Sequence, residues 1–175
     1  SKIELLSDKV RDSFKAQEKV IVLYAPTFRG DFSHAESLKV SLPFETVIRE
    51  MENKYGKEAV IFNRSHYTSK DVYTGDNKKV IDVTSHEDMQ ELLAAADLLI
   101  TDYSSSIWDF AILGKPCILY IPDFDEYMGD RGTYTPVEKW PGIIAKNESE
   151  LENVIRDVSE EKCRQMADQH LKLFG

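Results

Sequence analysis

The sequence predicts an α/β domain, a doubly wound parallel sheet with helices on both faces. Three observations carry that expectation. Short apolar, β-branched runs recur along the chain, and stretches with helical spacing of apolar residues separate them. The length of 175 residues, 42% of them apolar, suits one domain with a substantial core. We therefore expect a single domain over residues 1–175.

The first helix is expected over residues 3–14, where Ile3, Leu6, Val10 and Phe14 share a face. Val20-Ile21-Val22-Leu23-Tyr24 reads as a buried strand stopped at Ala25-Pro26. After a polar loop, Pro43 opens a helix running to Tyr55, with Phe44, Val47, Ile48 and Met51 on one side and Gly56 as its stop. Ala59-Val60-Ile61-Phe62 and Val80-Ile81-Asp82-Val83 are the second and third strands. Ser85-His86-Glu87-Asp88 has the form of a capping box for a helix over 87–96. Asp97-Leu98-Leu99-Ile100-Thr101 is the fourth strand, and a helix over 104–113 closes at Gly114. Residues 116–121 form a fifth strand, and 122–141 read as a long irregular segment. Gly142-Ile143-Ile144-Ala145 is a sixth strand. Asn147 caps a helix to Val158, and a last helix occupies 160–173.

Composition narrows the function. A net charge of −9, from 22 basic and 31 acidic residues, disfavours a nucleic-acid partner, which leaves a basic footprint. It leaves room for an anionic ligand, because a site responds to local field rather than to the total. No apolar run reaches the ~20 residues of a bilayer span, and no charged start leads into an apolar stretch, so neither a membrane helix nor a signal peptide is expected. Cys117 and Cys163 have no metal-ligand spacing and read as reduced thiols.

Ligands of doubly wound sheets bind at the carboxyl ends of the strands. Residues 25–42, 63–78, 101–105 and 122–141 all follow strands and should share that edge. Thr101-Asp102-Tyr103-Ser104-Ser105-Ser106, between a strand and a helix, offers hydroxyls and unpaired N–H groups suited to phosphate. Neither the GxGxxG pattern nor the GxxxxGK[ST] pattern is present. A plain helix cap is the competing reading of Ser104 and Ser105. Asn63-Arg64-Ser65-His66-Tyr67 places a titratable ring and a permanent cation on the same edge, with a solvated loop as its alternative. Arg29 follows the first strand, and Asp130-Arg131-Gly132 follows the fifth. Arg29, Arg64, His66, Ser104, Ser105 and Arg131 are expected to meet at one rim. Asp123-Phe124-Asp125 has the form of a DxD metal motif, but a loop-ordering role is preferred, and no metal or cofactor is called for.

Read in order, Tyr24-Ala-Pro-Thr-Phe-Arg29, Arg64-Ser-His66-Tyr67, Ile100-Thr-Asp-Tyr-Ser-Ser105, Trp108-Asp-Phe110, Gly114-Lys-Pro116, Arg131-Gly-Thr-Tyr134 and Pro141-Gly142 resemble the carboxyl-terminal half of the CDP-glycerol glycerophosphotransferases, the teichoic acid primases and polymerases. That resemblance implies a Rossmann-like domain forming the carboxyl-terminal, donor-binding half of a GT-B-type fold. It also implies transfer of glycerol phosphate from CDP-glycerol, or a related CDP-polyol, to a hydroxyl of a lipid-linked polymer, with release of CMP.

By the same resemblance His66 and Asp102 are the catalytic candidates. His66 would contact the transferred phosphate or assist proton transfer, and Asp102 would orient the site. Arg29, Arg64, Thr101, Ser104, Ser105, Arg131 and Gly132 would bind the donor. Phe28 stands where the family often has Trp. The family's amino-terminal acceptor half has no room in 175 residues, so the resemblance implies a domain of a longer, two-domain enzyme working at the cytoplasmic face of the bacterial membrane. A nucleotide-sugar-binding half of a GT-B glycosyltransferase is the alternative. A receiver-type signalling module is disfavoured, because Pro26, Thr27 and Arg29 stand where its acidic cluster would be.

Overall fold

The computed structural model describes residues 1–27, 40–64, 75–130 and 132–174. Six strands form one sheet: β1 (Val20–Tyr24), β2 (Ala59–Asn63), β3 (Val80–Asp82), β4 (Leu98–Thr101), β5 (Cys117–Tyr120) and β6 (Ile143–Ala145). Their order is β3-β2-β1-β4-β5-β6, and every pairing is parallel. The chain direction across the sheet reverses between β1 and β4, where Val22 lies beside Leu98 and Tyr24 beside Ile100.

All five residues of β1 are buried, which explains its continuous apolar run. Ile21 and Leu23 enter a core shared with α1 (Lys2–Ser13), α3 (Met89–Ala95) and α4 (Ser106–Ile112) through Val10, Leu92, Leu93, Ile107 and Phe110. Val20, Val22 and Tyr24 enter the opposite core, against Val47, Ile48 and Met51 of α2 (Phe44–Tyr55) and Leu151 and Ile155 of α6 (Glu148–Asp157). The predicted doubly wound architecture is the one observed.

Element ends follow local chemistry. Gly56 ends α2 with φ +63°, the left-handed backbone that glycine adopts without steric penalty, and its N–H donates to Glu52 O. Asn147 caps α6 by accepting from the Glu150 N–H. Three expectations need correction. The cap of α3 is Asp88, whose carboxylate accepts from Gln90 N at 2.8 Å, so the helix begins at Met89 and Ser85 is not its cap. The helix after β4 begins at Ser106, and Ser104 and Ser105 precede it. The segment expected to be irregular holds α5 (Phe124–Asp130) and a 3₁₀ turn at Val137–Lys139. The last helix, α7 (Glu160–Phe174), matches its expectation closely.

Candidate donor-binding site

Strand order decides where the described site residues gather. At the reversal point β1 and β4 lie side by side, and a crevice outside the carboxyl ends of such strands is the usual ligand position. Two side chains tie the loops leaving these strands together. Thr101 is fully buried, and its hydroxyl donates to the Ala25 carbonyl at 2.7 Å. Asp102 is 2% exposed, and its Oδ1 accepts from both the N–H and the Oγ1–H of Thr27, each at 2.9 Å. A buried carboxylate needs such donors, and charged acceptors make the stronger hydrogen bonds. Thr27 thus belongs to the site's framework, a role the sequence does not assign it, because the contact depends on β1 and β4 being neighbours.

Beyond Asp102 the chain turns into α4. The Ser104 Oγ accepts from the Ser106 N–H at 3.3 Å and from the Ser106 hydroxyl at 3.0 Å, a local side-chain turn. Ser105 stands at the cap position, but its side chain makes no capping bond. Ser104 is half-buried and Ser105 exposed, so both lie at the surface of the edge that Thr101 and Asp102 support from within. Tyr103 stacks on Tyr127 with ring centroids 3.6 Å apart and planes 8° from parallel, joining the β4 loop to α5.

Arg64 follows β2 directly, and its backbone N–H donates to Tyr24 O at the end of β1, carrying the pairing one residue past β2. Its Nη1 donates to the His86 carbonyl at 2.6 Å. Burial draws the guanidinium below its ordinary pKa, while the charge of Asp88 acts the other way. Gly132 carries φ +65°, and its N–H donates to Tyr127 O at 3.2 Å, reversing the chain after α5. Asp123 is buried ahead of α5, and its carbonyl accepts from the Tyr127 N–H at 2.9 Å, within the helix start.

The structure therefore brings Thr101, Asp102, Ser104 and Ser105 together with Thr27 at the reversal point, with Arg64 on the neighbouring strand end. His66, Arg29 and Arg131 lie outside the described residues, and so does the expected convergence at one rim. Among the described residues, no group of three or more His, Cys, Asp or Glu side chains is arranged to hold a metal ion.

A parallel sheet in this order, with helices on both faces, defines a Rossmann-like domain. The sequence model of the family described as CDP-Glycerol:Poly(glycerophosphate) glycerophosphotransferase matches residues 7–173, and the chain belongs to that family. It is 38% identical over 128 residues to the teichoic acid glycerol-phosphate primase of Bacillus subtilis, covering 71% of this chain and 31% of that protein. It is 34% identical over 149 residues to the teichoic acid glycerol-phosphate transferase of Staphylococcus aureus, covering 82% of this chain and 37% of that protein. Among solved structures, a variant of the wall teichoic acid polymerase TagF soaked with CDPG superimposes with a TM-score of 0.70 at 28% identity, over 98% of this chain and 42% of that one. The chain thus spans about a third of the length of these curated relatives.

Proposed function

We propose that residues 1–175 form the donor-binding domain of a longer, two-domain glycerophosphotransferase. In this reading the enzyme moves glycerol phosphate from CDP-glycerol, or a related CDP-polyol, to a hydroxyl of a lipid-linked teichoic acid or similar polymer. The acceptor oxygen forms a bond to the β-phosphorus, the bond from that phosphorus to the bridging oxygen breaks, and CMP leaves with the electron pair. The acceptor proton passes to a base, for which His66 is the candidate. Phosphoryl transfer depends mainly on positioning and charge stabilisation, so donors rather than a covalent nucleophile are the required equipment.

The observation that supports this reading most is the family match over residues 7–173, laid on a sheet whose reversal point is pinned through Asp102. Asp102 orients the site by holding the β1 loop. Ser104 and Ser105 form its β4 side, where the diphosphate would rest, and the buried Thr101 supports them from within. Arg64, Arg29 and Arg131 neutralise the diphosphate charge, and Gly132 lets the backbone after α5 approach. A missing acceptor domain would supply the polymer site. Among the described residues no helix is long and apolar enough to cross a membrane. In this reading the enzyme meets its lipid-linked acceptor peripherally, at the cytoplasmic face.

Calorimetry with CDP-glycerol, CDP-ribitol and a UDP-sugar tests the assignment. Binding of a CDP-polyol in preference to the UDP-sugar, with little transfer by the chain alone, is the expected result. Preference for the UDP-sugar would replace the reading with a glycosyltransferase half. Transfer by the chain alone at a rate typical of complete enzymes would remove the need for a second domain.

A further inference from the structure

We propose that His86 and Glu91 are positioning residues for the Arg64 guanidinium, and through it for the diphosphate of the donor, an inference that rests on the reading of the chain as a CDP-donor domain. Arg64 has a long side chain with many rotamers, and an anion gains most from a guanidinium already held in place. The anchor is a backbone carbonyl. Arg64 Nη1 donates to His86 O at 2.6 Å, so the position of residue 86 sets the position of the cation.

His86 is itself fixed from several sides. Its N–H donates to Val83 O at 3.0 Å, within a turn that begins where the Val83 N–H donates to Asn63 O, the last residue of β2. Its ring lies near Phe14, with centroids 6.1 Å apart, and Phe14 packs on Phe62 of β2 at 5.0 Å. Its Nε2 meets Glu91 Oε2 at 3.0 Å, and a carboxylate can only accept, so the imidazole donates. Glu91 is 8% exposed on α3, and its other oxygen accepts from Lys9 Nζ of α1 at 2.5 Å. These donors hold Glu91 below the usual carboxylate pKa, with the Lys9 hydrogen bond the largest cause. The connected path runs Lys9–Glu91–His86–Arg64, from the exposed face of α1 to the strand edge.

Packing alone gives a weak reason for this arrangement. Leu92, Leu93 and Ala95 already supply the apolar contacts of α3, and an ion pair whose lysine is exposed contributes little net stability. What the path does fix is the direction of one carbonyl at the donor edge.

The experiment is a double-mutant cycle on CDP-glycerol affinity, read by calorimetry, with folding checked by urea denaturation. Arg64→Ala should weaken binding about 10–100-fold, as for loss of a charge-assisted contact. His86→Ala keeps the backbone carbonyl but loses the ring anchor, and should weaken binding about three- to ten-fold. Glu91→Gln keeps the shape and serves as the gentler second variant. In an Arg64→Ala background neither change should weaken binding further. Additive losses, or unchanged affinity in folded His86→Ala and Glu91→Gln, would overturn the positioning role while leaving the donor-domain reading intact. Failure of the unaltered protein to bind CDP-glycerol would overturn both.

Discussion

Replacing Thr27 by Val tests whether the loop after β1 is held by Asp102. Valine has nearly the same shape, so the substitution removes the hydroxyl donor and leaves the backbone N–H bond at 2.9 Å in place. A hydrogen bond to a buried charge contributes ~1.5–3 kcal/mol, and Thr27 is half-buried, so water can compensate part of the loss. The expected cost is therefore about 1.5 kcal/mol, which in a domain of this size lowers Tm by about 3–6 °C. Asp102→Asn keeps an acceptor but removes the charge. Combined in a cycle, the two changes should show a coupling of about 1 kcal/mol in urea denaturation, because each removes part of the same contact. CDP-glycerol affinity should fall in both. A Thr27→Val protein with unchanged Tm, or a cycle that is additive within about 0.3 kcal/mol, would refute the idea that Asp102 holds this loop.

Two other outcomes follow from the packing and the charges. Phe110 is fully buried where α4 meets the sheet, so Phe110→Ala should cost about 3–5 kcal/mol by urea denaturation; a loss below about 1 kcal/mol would mean that α4 is not packed as described. Glu50 is 4% exposed and accepts from Arg156 Nε at 2.7 Å and Arg49 Nε at 3.2 Å. The Arg156 bond is the main cause of its depressed pKa, with burial opposing it. A carboxyl depressed by folding stabilises above its ordinary value of 4.5, and that stabilisation is lost as pH falls through the lower folded value. Glu50→Gln should accordingly flatten the acid limb of the stability profile below pH 4.5, less so at high salt because both arginines are half exposed. Identical acid limbs would contradict it.

The sheet was legible in the sequence because its signal is local. A parallel strand buried on both faces must be apolar throughout, and Val20-Ile21-Val22-Leu23-Tyr24 coincides with β1 residue for residue. Helix starts were less legible, because several residues near each one can cap. Ser85 and Asp88 both suit a helix start, and only the three-dimensional path shows that Asp88 reaches the Gln90 N–H. The α5 helix was hidden by composition: Phe124-Asp-Glu-Tyr127 presents aromatics three apart, but acidic residues and Gly129 obscure the period.

At the site, the residue types were readable and their partners were not. Sequence placed Asp102 after β4, while its bond to Thr27 depends on β1 and β4 being neighbours, a fact of strand order. Arg64 was read as a phosphate contact, and its carbonyl partner comes from a loop 22 residues away. His86 was read as part of a cap, and its tie to a buried carboxylate on α3 is likewise a tertiary contact.

The β1–β4 junction also bears on how the chain assembles. During synthesis β1, β2 and β3 emerge first, and the flank of β1 that will receive Leu98, Leu99 and Ile100 stays bare until the ribosome has made them. An exposed strand flank invites pairing with other chains, and long-range parallel pairing is slow. Nascent chains arrested before β4 should therefore be the most aggregation-prone species of this protein, and the late arrival of Leu98–Thr101 the event that makes it safe.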